Sequence, residues 1–536
     1  MKVSDLSLRE KVLQTVVLRL NNGRESSVKN AGAAFFFGEI ITEADAGGLE
    51  QATATLKRYT DECTIPMLVV SDFENGCGDM LKGLTPLPYM MGLGATNSEE
   101  IAYNYGKATA LEARSVGANW TFSPVCDLNI NRRNPLVNIR SVSDDPELAV
   151  KLLTQVVRGM QENGLAACAK HFPGDGVDWR DQHAVTTNNT LSWEDWKQKS
   201  GRVFQALIDA GVYSIMPGHI TLPAYQTERA PNGMCLPATL SYELITKLLK
   251  GEMGFEGVVV TDALDMGGFN GWYKDIETSE IESFKAGCDM LLWPSANYVD
   301  NLVAAVDSGY VSMERLDDAV SRILKMKEKL GLFQGCNDPR PMTAEEKTFV
   351  KKTQIQTADH SVTLVRDNAK HFPIDPKKVK KIAVCAITQH EPTREQGKVL
   401  AEELCKRGFD ATLYPFPSFQ NIDDSDLVIY AMFSRPFRPR GFLDFMGAEM
   451  GKIHWSMMYG QEKSVYVSFG SPYLGEQYFE RVDTYVNAYS MTACSVEAFV
   501  RAATGEIPFT DFSPVHLTTY EEEIALRKEV TLPIRD

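Results

Sequence analysis

Residues 166–183 of this chain read Ala-Ala-Cys-Ala-Lys-His-Phe-Pro-Gly-Asp-Gly-Val-Asp-Trp-Arg-Asp-Gln-His. The apolar run 166–172 predicts a short buried strand. Pro173 and the two glycines after it disfavour continued helix or strand, so the second half predicts a surface loop. That loop places Asp181 two residues before His183. An isolated pair of this kind is usually two unrelated polar residues, and the rest of the chain decides whether it carries chemistry.

Short apolar runs alternate with longer helical patterns from residue 30 to about residue 330. The apolar runs are 33–37, 66–72, 120–125, 166–172, 213–219, 257–262 and 289–293. Helical patterns between and after them include 146–163, 193–210, 242–251 and 313–330. Strands that alternate with helices indicate a parallel α/β architecture. Seven or eight such units in about 300 residues favour a (β/α)8 barrel of the TIM type over an open sheet.

Four polar residues end apolar runs in this region, namely Asp72, His171, His219 and Asp262. In a (β/α)8 barrel, the carboxyl ends of the strands face the catalytic mouth. One polar residue at a strand end means little, because Asp262 in particular could simply cap the following helix. Four of them together predict a site at this end of the barrel.

The chain of 536 residues is long enough for two domains. We predict a barrel domain over residues 1–333, a polar linker over 334–350 and a smaller α/β/α sandwich domain over 351–536. The second domain shows apolar runs at 381–387, 412–414, 427–433, 465–469 and 484–489, with helical patterns at 394–407 and 495–504. These runs predict an open parallel sheet with helices on both faces.

Composition narrows the partners and the compartment. A net charge of −16 and a pI near 5.1 argue against nucleic-acid and anionic-membrane partners, which need basic surface. The charged N-terminus shows no signal-peptide pattern, and no apolar run reaches the length of a spanning helix. The ten cysteines are scattered without a Cys-x-x-Cys motif, so we expect reduced thiols and a cytoplasmic protein.

The ordered series of short motifs resembles glycoside hydrolase family 3, and within it the β-N-acetylglucosaminidase branch. The resemblance runs through 72–76, 122–127, 140–146, 170–174, 181–183, 216–219, 237–241, 261–262 and 286–290, and continues at 359–365 and 469–473. It therefore covers almost the whole chain. The Asp-x-His loop is what selects the branch, because other branches take their acid from elsewhere.

The resemblance implies a retaining, exo-acting hydrolysis of terminal β-linked N-acetylglucosamine. Asp262 would be the nucleophile that forms a covalent glycosyl intermediate through an oxocarbenium-like transition state. His183 would be the general acid/base, with Asp181 as its orienting partner. A histidine in this role departs from the usual pair of carboxylates. A neutral imidazole also avoids repulsion with the nucleophile and allows an anionic acceptor to approach.

The resemblance also implies that five residues bind the sugar: Asp72, Arg140, Lys170, His171 and His219. From the sequence alone, Arg140 could equally form a loop ion pair with Asp144 or Asp145, and Lys170 a salt bridge at the edge of the core. The expected substrate is a small oligosaccharide or glycoconjugate, with no cofactor and no metal.

The chain departs from the branch after Glu74. Relatives usually show a glycine pair and then an arginine, whereas this chain has Asn75-Gly76-Cys77-Gly78-Asp79 without arginine. The missing contact leaves the preference for N-acetylglucosamine open. Asp175 also stands where many relatives have histidine, a change expected to matter less.

Four other functions remain open on the sequence. A phosphorylase could use the same residues with phosphate in place of water. A β-glucosidase or β-xylosidase of the same family would need a glutamate acid from elsewhere. A metal-dependent barrel hydrolase would need three or four ligands, and a non-catalytic sugar-binding protein would not need the nucleophile. The second domain could add a loop to the sugar site, mediate a homodimer or only stabilise the barrel.

Overall fold

The computed structural model describes residues 1–19, 30–35, 48–335, 338–434, 436, 445–518 and 522. Within these residues the chain forms two compact units. The first contains Met1–Met90 and Ser98–Gln354, and the second contains Met91–Asn97 and the described residues from Ile355 onward. The division falls inside the helix Ala344–Asp359, which begins within residues 334–350.

Eight parallel strands form a closed barrel in the first unit. They are β1 (Val16–Arg19), β2 (Ala33–Phe35), β3 (Leu68–Ser71), β4 (Trp120–Thr121), β5 (Cys168–Phe172), β6 (Ser214–Pro217), β7 (Val258–Val259) and β8 (Leu291–Leu292). Strands β1 to β4 pair in sequence, as do β5 to β7, and β8 returns to pair with β1. Parallel bridges Trp120–Ala166 and Val260–Met290 close the remaining two gaps. The predicted (β/α)8 barrel is confirmed.

Helices connect and surround these strands. They are Leu8–Gln14, Gly48–Asp61, Glu99–Ser115, Pro146–Gln161, Trp193–Gln198, Ser200–Asp209, the π-helix Glu243–Glu252, Ile276–Ala286, Tyr298–Asp307 and Met313–Lys329. The helix Met90–Thr96 belongs, except for its first residue, to the second unit. Their starts follow ordinary capping chemistry. For example, the Asp145 carboxylate accepts the N–H groups of Glu147 and Leu148, and Pro146 occupies the first turn.

Three local features differ from the prediction. Strand β1 was not anticipated, because its apolar residues follow the helix Leu8–Gln14 after one residue and read as its continuation. The predicted helix 193–210 is divided at Lys199, whose φ of −109° and ψ of −103° are not helical. Residues 36–37 of the first predicted strand, 33–37, lie outside the described residues.

The barrel interior is a continuous apolar core. Phe35, Val70, Trp120 and Val258 come from four different strands, and all are fully buried in one cluster. Such inward packing fills a TIM-type barrel with side chains. The site must therefore lie above this core, at the strand ends and in the loops that follow.

The second unit contains a six-stranded sheet. Its strands are β9 (Thr363–Asp367), β10 (Lys381–Thr388), β11 (Asp410–Tyr414), β12 (Leu427–Phe433), β13 (Ser464–Ser468) and β14 (Thr484–Asn487), in the spatial order β9-β14-β13-β12-β10-β11. The five predicted strands pair in parallel, as expected, and one additional strand, β9, pairs antiparallel with β14. In the unpredicted strand β9 only Thr363 is buried, and the four residues after it are partly or fully exposed, as is common in an edge strand.

The helices of the second unit accompany this sheet. They are Glu391–Lys406, Phe419–Asp423, Gly447–Ser456, Leu474–Gln477 and Ala493–Ala503. Strands β10, β12 and β13 are buried almost throughout. Strands that are apolar along their full length are typical of a parallel sheet covered by helices.

Candidate active site

The barrel brings the predicted residues to one end. Asp72 follows β3, and Lys170 and His171 lie near the carboxyl end of β5. His219 follows β6, and Asp262 follows β7. Because all eight strands are parallel, their carboxyl ends share one rim of the barrel. The topology therefore brings these strand ends together.

Asp262 is a buried anionic carboxylate at this rim. Its Oδ1 accepts the N–H of Ala263 at 2.8 Å, and its side chain is 13% exposed. Burial opposes ionisation, but the positive potential of His171, His219, His183 and Lys170 outweighs burial and lowers the pKa of Asp262 to about 2. The carboxylate is therefore ionised at neutral pH. Asp265, the rival carboxylate, lies in a turn, is 60% exposed and pairs with Arg19 at 3.5 Å.

Asp181 and His183 form a hydrogen-bonded pair. The Nδ1 atom of His183 lies 2.7 Å from Oδ1 of Asp181, and the same oxygen accepts the backbone N–H of His183 at 2.8 Å. Asp181 is buried, whereas the His183 side chain keeps 15% exposure. A carboxylate that accepts from Nδ1 fixes the imidazole tautomer with the proton on that nitrogen.

The loop that carries this pair is hydrogen-bonded to the segment after Asp262. Gly267 donates its N–H to the carbonyl of His183 at 2.8 Å, and Gly268 donates to the carbonyl of Gln182 at 3.2 Å. A Cβ at Gly267 would lie 2.3 Å from the carbonyl oxygen of Ala184, so this approach requires glycine. These contacts hold the histidine loop against the segment that bears the nucleophile candidate.

His171 joins Asp127 to Asp262. Its Nδ1 lies 2.7 Å from Oδ2 of Asp127, and its backbone N–H donates to Oδ1 of the same residue at 3.1 Å. Its Nε2 lies 3.8 Å from Oδ2 of Asp262. Asp127 was quoted within a motif, but its pairing was not predicted, since the two residues are 44 apart in sequence.

A buried network of four charges lies beside the Asp262 carboxylate. Lys170 donates to Asp72 at 2.8 Å and contacts Glu74 at 2.7 Å, while Arg140 binds both oxygens of Glu74 at 2.8 Å. Although burial by itself raises the pKa of Glu74, Arg140 and Lys170 bring that pKa well below its usual range. Glu74 was not predicted as a site residue, although it is the centre of the network.

This network shows which ion pair Arg140 forms. The sequence left open an ion pair with Asp144 or Asp145, and the structure gives Arg140 a bidentate pair with Glu74 instead. Lys170 is 3% exposed on its side chain and forms the buried salt bridge that was the structural alternative. Asp72 keeps 18% exposure and is the more accessible end of the network.

His219 is fully buried, and both its ring nitrogens have partners. Nδ1 lies 2.9 Å from the hydroxyl of Thr239, and Nε2 lies 3.0 Å from the carbonyl oxygen of Ala263. Its backbone N–H donates to Oε1 of Gln182 at 2.8 Å. Burial lowers the pKa of this imidazole below its ordinary value. In this structure no ring nitrogen of His219 remains for a sugar hydroxyl, and the ring instead braces the residue after Asp262.

The described part of the chain lacks two features that other functions would need. No group of three or more His, Cys, Asp and Glu side chains there is arranged to hold a metal ion. No helix within the described ranges is long and apolar enough to span a membrane.

The fold and this rim define an enzyme of the (β/α)8 barrel class. The model of the glycosyl hydrolase family 3 N-terminal domain matches residues 7–326. A β-N-acetylglucosaminidase/β-glucosidase of Cellulomonas fimi is 32% identical over 488 residues, which cover 87% of this chain and 86% of that protein. The chain therefore belongs to glycoside hydrolase family 3. It is a glycoside hydrolase, and its substrate is a carbohydrate.

Two solved structures are similar over nearly the full length. A structure titled β-glucoside phosphorylase BglX bound to 2FGlc is 28% identical, with a TM-score of 0.84 over 96% of this chain and 95% of that one. A family 3 β-N-acetylglucosaminidase from Paenibacillus sp. str. FPU-7 is 27% identical, with a TM-score of 0.81 over 96% and 99%. The similarity thus spans nearly the full length of two relatives whose titled activities differ.

Proposed function

We propose that this protein is a retaining, exo-acting β-N-acetylglucosaminidase. The observation that carries the proposal is the position of Asp262 at the barrel rim, 13% exposed, next to a histidine loop that is hydrogen-bonded to the segment after it. A retaining mechanism needs a carboxylate that is anionic before attack and a second group that gives and then takes a proton. Asp262 and His183 meet these two needs.

In the first step, the Asp262 carboxylate attacks the anomeric carbon, and the bond to the leaving oxygen breaks. His183 protonates the leaving oxygen from Nε2, since Nδ1–H donates to Asp181. In the second step, the neutral imidazole takes a proton from water, which attacks the anomeric carbon and releases Asp262. Asp181 stabilises the imidazolium and fixes its orientation throughout.

The glycone is held by the accessible parts of the charged rim. Asp72, at 18% exposure, accepts from sugar hydroxyls, while Lys170 and Arg140 are fixed by Glu74 and donate from their remaining N–H groups. His171 presents Nε2 close to Asp262, where it contacts a hydroxyl next to the anomeric centre. His219 acts indirectly in this proposal, because it braces the Ala263 carbonyl.

A phosphorylase is the second candidate function. It is favoured by the full-length similarity to a structure titled as a β-glucoside phosphorylase. A histidine acid/base also brings no negative charge of its own, so phosphate can approach the intermediate with less repulsion than beside a glutamate. Incubating the enzyme with substrate in phosphate and in a non-phosphate buffer separates the two, because only a phosphorylase forms the sugar 1-phosphate.

The choice of glycone is tested by a matched panel of aryl β-glycosides. The Cellulomonas relative is named for both N-acetylglucosaminide and glucoside cleavage. Where the branch has an arginine, this chain has a short turn in which Asn75 Nδ2 donates to Asp79 at 3.1 Å. We expect N-acetylglucosaminide to have the highest kcat/KM, with glucoside next and xyloside lowest. A kcat/KM for glucoside above that for N-acetylglucosaminide would contradict this assignment of the substrate.

A further inference from the structure

Asp175 is a buried carboxyl that has no role in the mechanism above. Asp175 is 2% exposed, and its Oδ1 accepts the N–H of Gly176 at 2.7 Å and the amide of Asn134 at 3.2 Å. Its Oδ2 is buried and has no hydrogen-bond partner among the described residues. A buried carboxylate oxygen without a donor is costly, whereas a protonated one is not charged. This geometry favours the neutral acid.

Asp175 is tied directly to the row of residues that ends at the nucleophile. Its backbone N–H donates to Oδ1 of Asp127 at 2.7 Å, and that oxygen also accepts the N–H of His171. Oδ2 of Asp127 binds the His171 ring, which faces Asp262 at 3.8 Å. Successive contacts therefore connect Asp175 to Asp127, Asp127 to His171, and His171 to Asp262.

The turn that holds Asp175 has little freedom to move away. Gly176 adopts a φ of +87°, and a Cβ there would lie 2.1 Å from the carbonyl oxygen of Leu128. The Gly176 carbonyl accepts the N–H of Asn131 at 2.7 Å. Only glycine fits this close approach. A charge that develops on Asp175 consequently acts on Asp127 at short range rather than being relieved by a shift of the turn.

We propose that Asp175 is a positioning residue that works as a neutral carboxylic acid, and that its ionisation weakens the Asp127–His171 support of the nucleophile. The proposal rests on the assignment of Asp262 as nucleophile. With Asp175 neutral, Asp127 is the single anion behind His171 and holds its Nδ1–H. With Asp175 ionised, two buried carboxylates repel each other, and the hydrogen bonds to their shared turn weaken.

The groups that face Asp175 set the direction of this effect. Burial and the negative charge of Asp127 raise the pKa of Asp175 to about 7, against the opposing influence of His171, the Gly176 N–H and Arg140. A carboxyl with that pKa is about nine-tenths protonated one unit below it and about one-tenth protonated one unit above it. The expected loss of activity over those two units is therefore about ninefold if the ionised form is inactive.

The test is the pH dependence of kcat/KM for an aryl glycoside with a good leaving group. Such a substrate does not need acid assistance, so the protonation state of His183 has little influence on this parameter. Wild-type activity should fall about ninefold from roughly pH 6 to pH 8. The asparagine side chain in Asp175→Asn has nearly the same size and shape as the aspartic acid but cannot ionise. The kcat/KM of this variant should therefore not fall over this pH range. An Asp175→Asn variant with the same fall as wild type overturns the proposal.

A matched control uses another carboxylate of the same loop. Burial raises the pKa of Asp178, but hydrogen bonds from Arg180 and from the Asn188 backbone outweigh it, and the net shift is downward. Asp178 is therefore already ionised at pH 6, and Asp178→Asn should leave the shape of the alkaline limb unchanged. If the fall of kcat/KM at alkaline pH disappeared in both variants, its loss would reflect a general disturbance of the loop. That result would also overturn the proposal.

A measurement without substrate separates this inference from the proposed function. In wild-type enzyme with isotope-labelled aspartate carboxyls, one carboxyl resonance should titrate near pH 7, and it should be absent in Asp175→Asn. The wild-type titration needs no turnover, and it stands whether or not Asp262 is the nucleophile. Its assignment to Asp175 uses an Asp175→Asn variant whose remaining spectrum shows that it is folded. An enzyme in which no aspartate carboxyl titrates near neutrality contradicts the proposal outright.

Discussion

His183 and Asp181 share two hydrogen bonds through a single oxygen. Oδ1 of Asp181 lies 2.7 Å from Nδ1 of His183 and 2.8 Å from its backbone nitrogen. The side chain and the main chain of the histidine are thus fixed to the same point. Because the loop that carries the pair is also hydrogen-bonded to Gly267 and Gly268, the imidazole is held beside the segment of Asp262.

His183→Ala is expected to slow substrates according to their leaving group. A nitrophenyl group departs without protonation, so its glycosylation step should fall by about tenfold or less, whereas a disaccharide should lose about 10²–10⁴-fold. Azide should partly restore turnover where deglycosylation limits the rate, because a small anion needs no general base. Leaving-group dependence of kcat/KM and azide rescue are the measurements. Equal losses for both substrates without azide rescue would make His183 structural.

Asp181→Asn should give a weaker form of the same profile. The amide can still orient the imidazole but no longer stabilises its positive charge, so the loss should fall between wild type and His183→Ala for the disaccharide. Comparing the two variants on the same pair of substrates separates the contribution of the Asp181 charge from its contribution to the orientation of the imidazole. A loss for Asp181→Asn that is the same for good and poor leaving groups would contradict the assigned role.

Asp262→Ala should abolish turnover on every substrate, because the covalent intermediate needs this carboxylate. Asp265→Ala is the matched control, since it removes an exposed carboxylate three residues further along the chain. We expect at least about a 10⁴-fold loss of kcat for the first variant and a change of less than about threefold for the second. Residual activity of Asp262→Ala above about one per cent, with contamination excluded, would place the nucleophile elsewhere.

Glu74→Gln should reduce both stability and glycone binding. The change leaves Lys170 and Arg140 buried beside a neutral amide, and breaking a buried pair costs about 3–5 kcal/mol. Thermal unfolding and KM should therefore both shift, the melting temperature downward and KM upward. Glu147→Gln is the control, because Glu147 pairs with Arg202 while 67% exposed, and exposed pairs contribute little. Similar melting shifts for the two variants would contradict a central role of Glu74.

The sequence predicted those parts of the site that depend on local pattern. Asp181 and His183 are two residues apart, and Asp262 ends an apolar run, so both features are visible without a fold. The partners that meet across the barrel were not visible. Glu74 and Arg140 are 66 residues apart, so no sequence spacing indicates that they pair. The nearer Asp145 was an equally plausible partner, but it caps a helix instead.

The fold shows the same division. Strands β2 to β8 were predicted because each lies in a short apolar run that alternates with helical patterns. Strand β1 was missed because a helix ends one residue before it and the apolar pattern does not change. The antiparallel direction of β9 was missed because strand direction is set by long-range pairing with β14.

Lys327 is a buried amine, and we expect its protonation to make the free energy of unfolding depend on pH. It lies on the helix Met313–Lys329, is fully buried and donates to Oε1 of Gln14. Burial lowers the pKa of this amine to about 7, whereas an unfolded chain holds it near 10.4. Between these two values the unfolded state binds the extra proton, so folding stability rises with pH there.

Lys327→Met should therefore stabilise the protein most at low pH. The unfavourable contribution of Lys327 is complete below pH 7 and fades as the pH rises towards 10.4, so the gain in unfolding free energy should shrink by about 1.4 kcal/mol per pH unit above 7. Urea unfolding of wild type and variant at roughly pH 6.5 and pH 9 measures this difference. Lys325→Met, at an exposed position of the same helix, should change stability equally and slightly at both values. A gain for Lys327→Met that does not depend on pH would mean that the buried amine is charged in the folded protein.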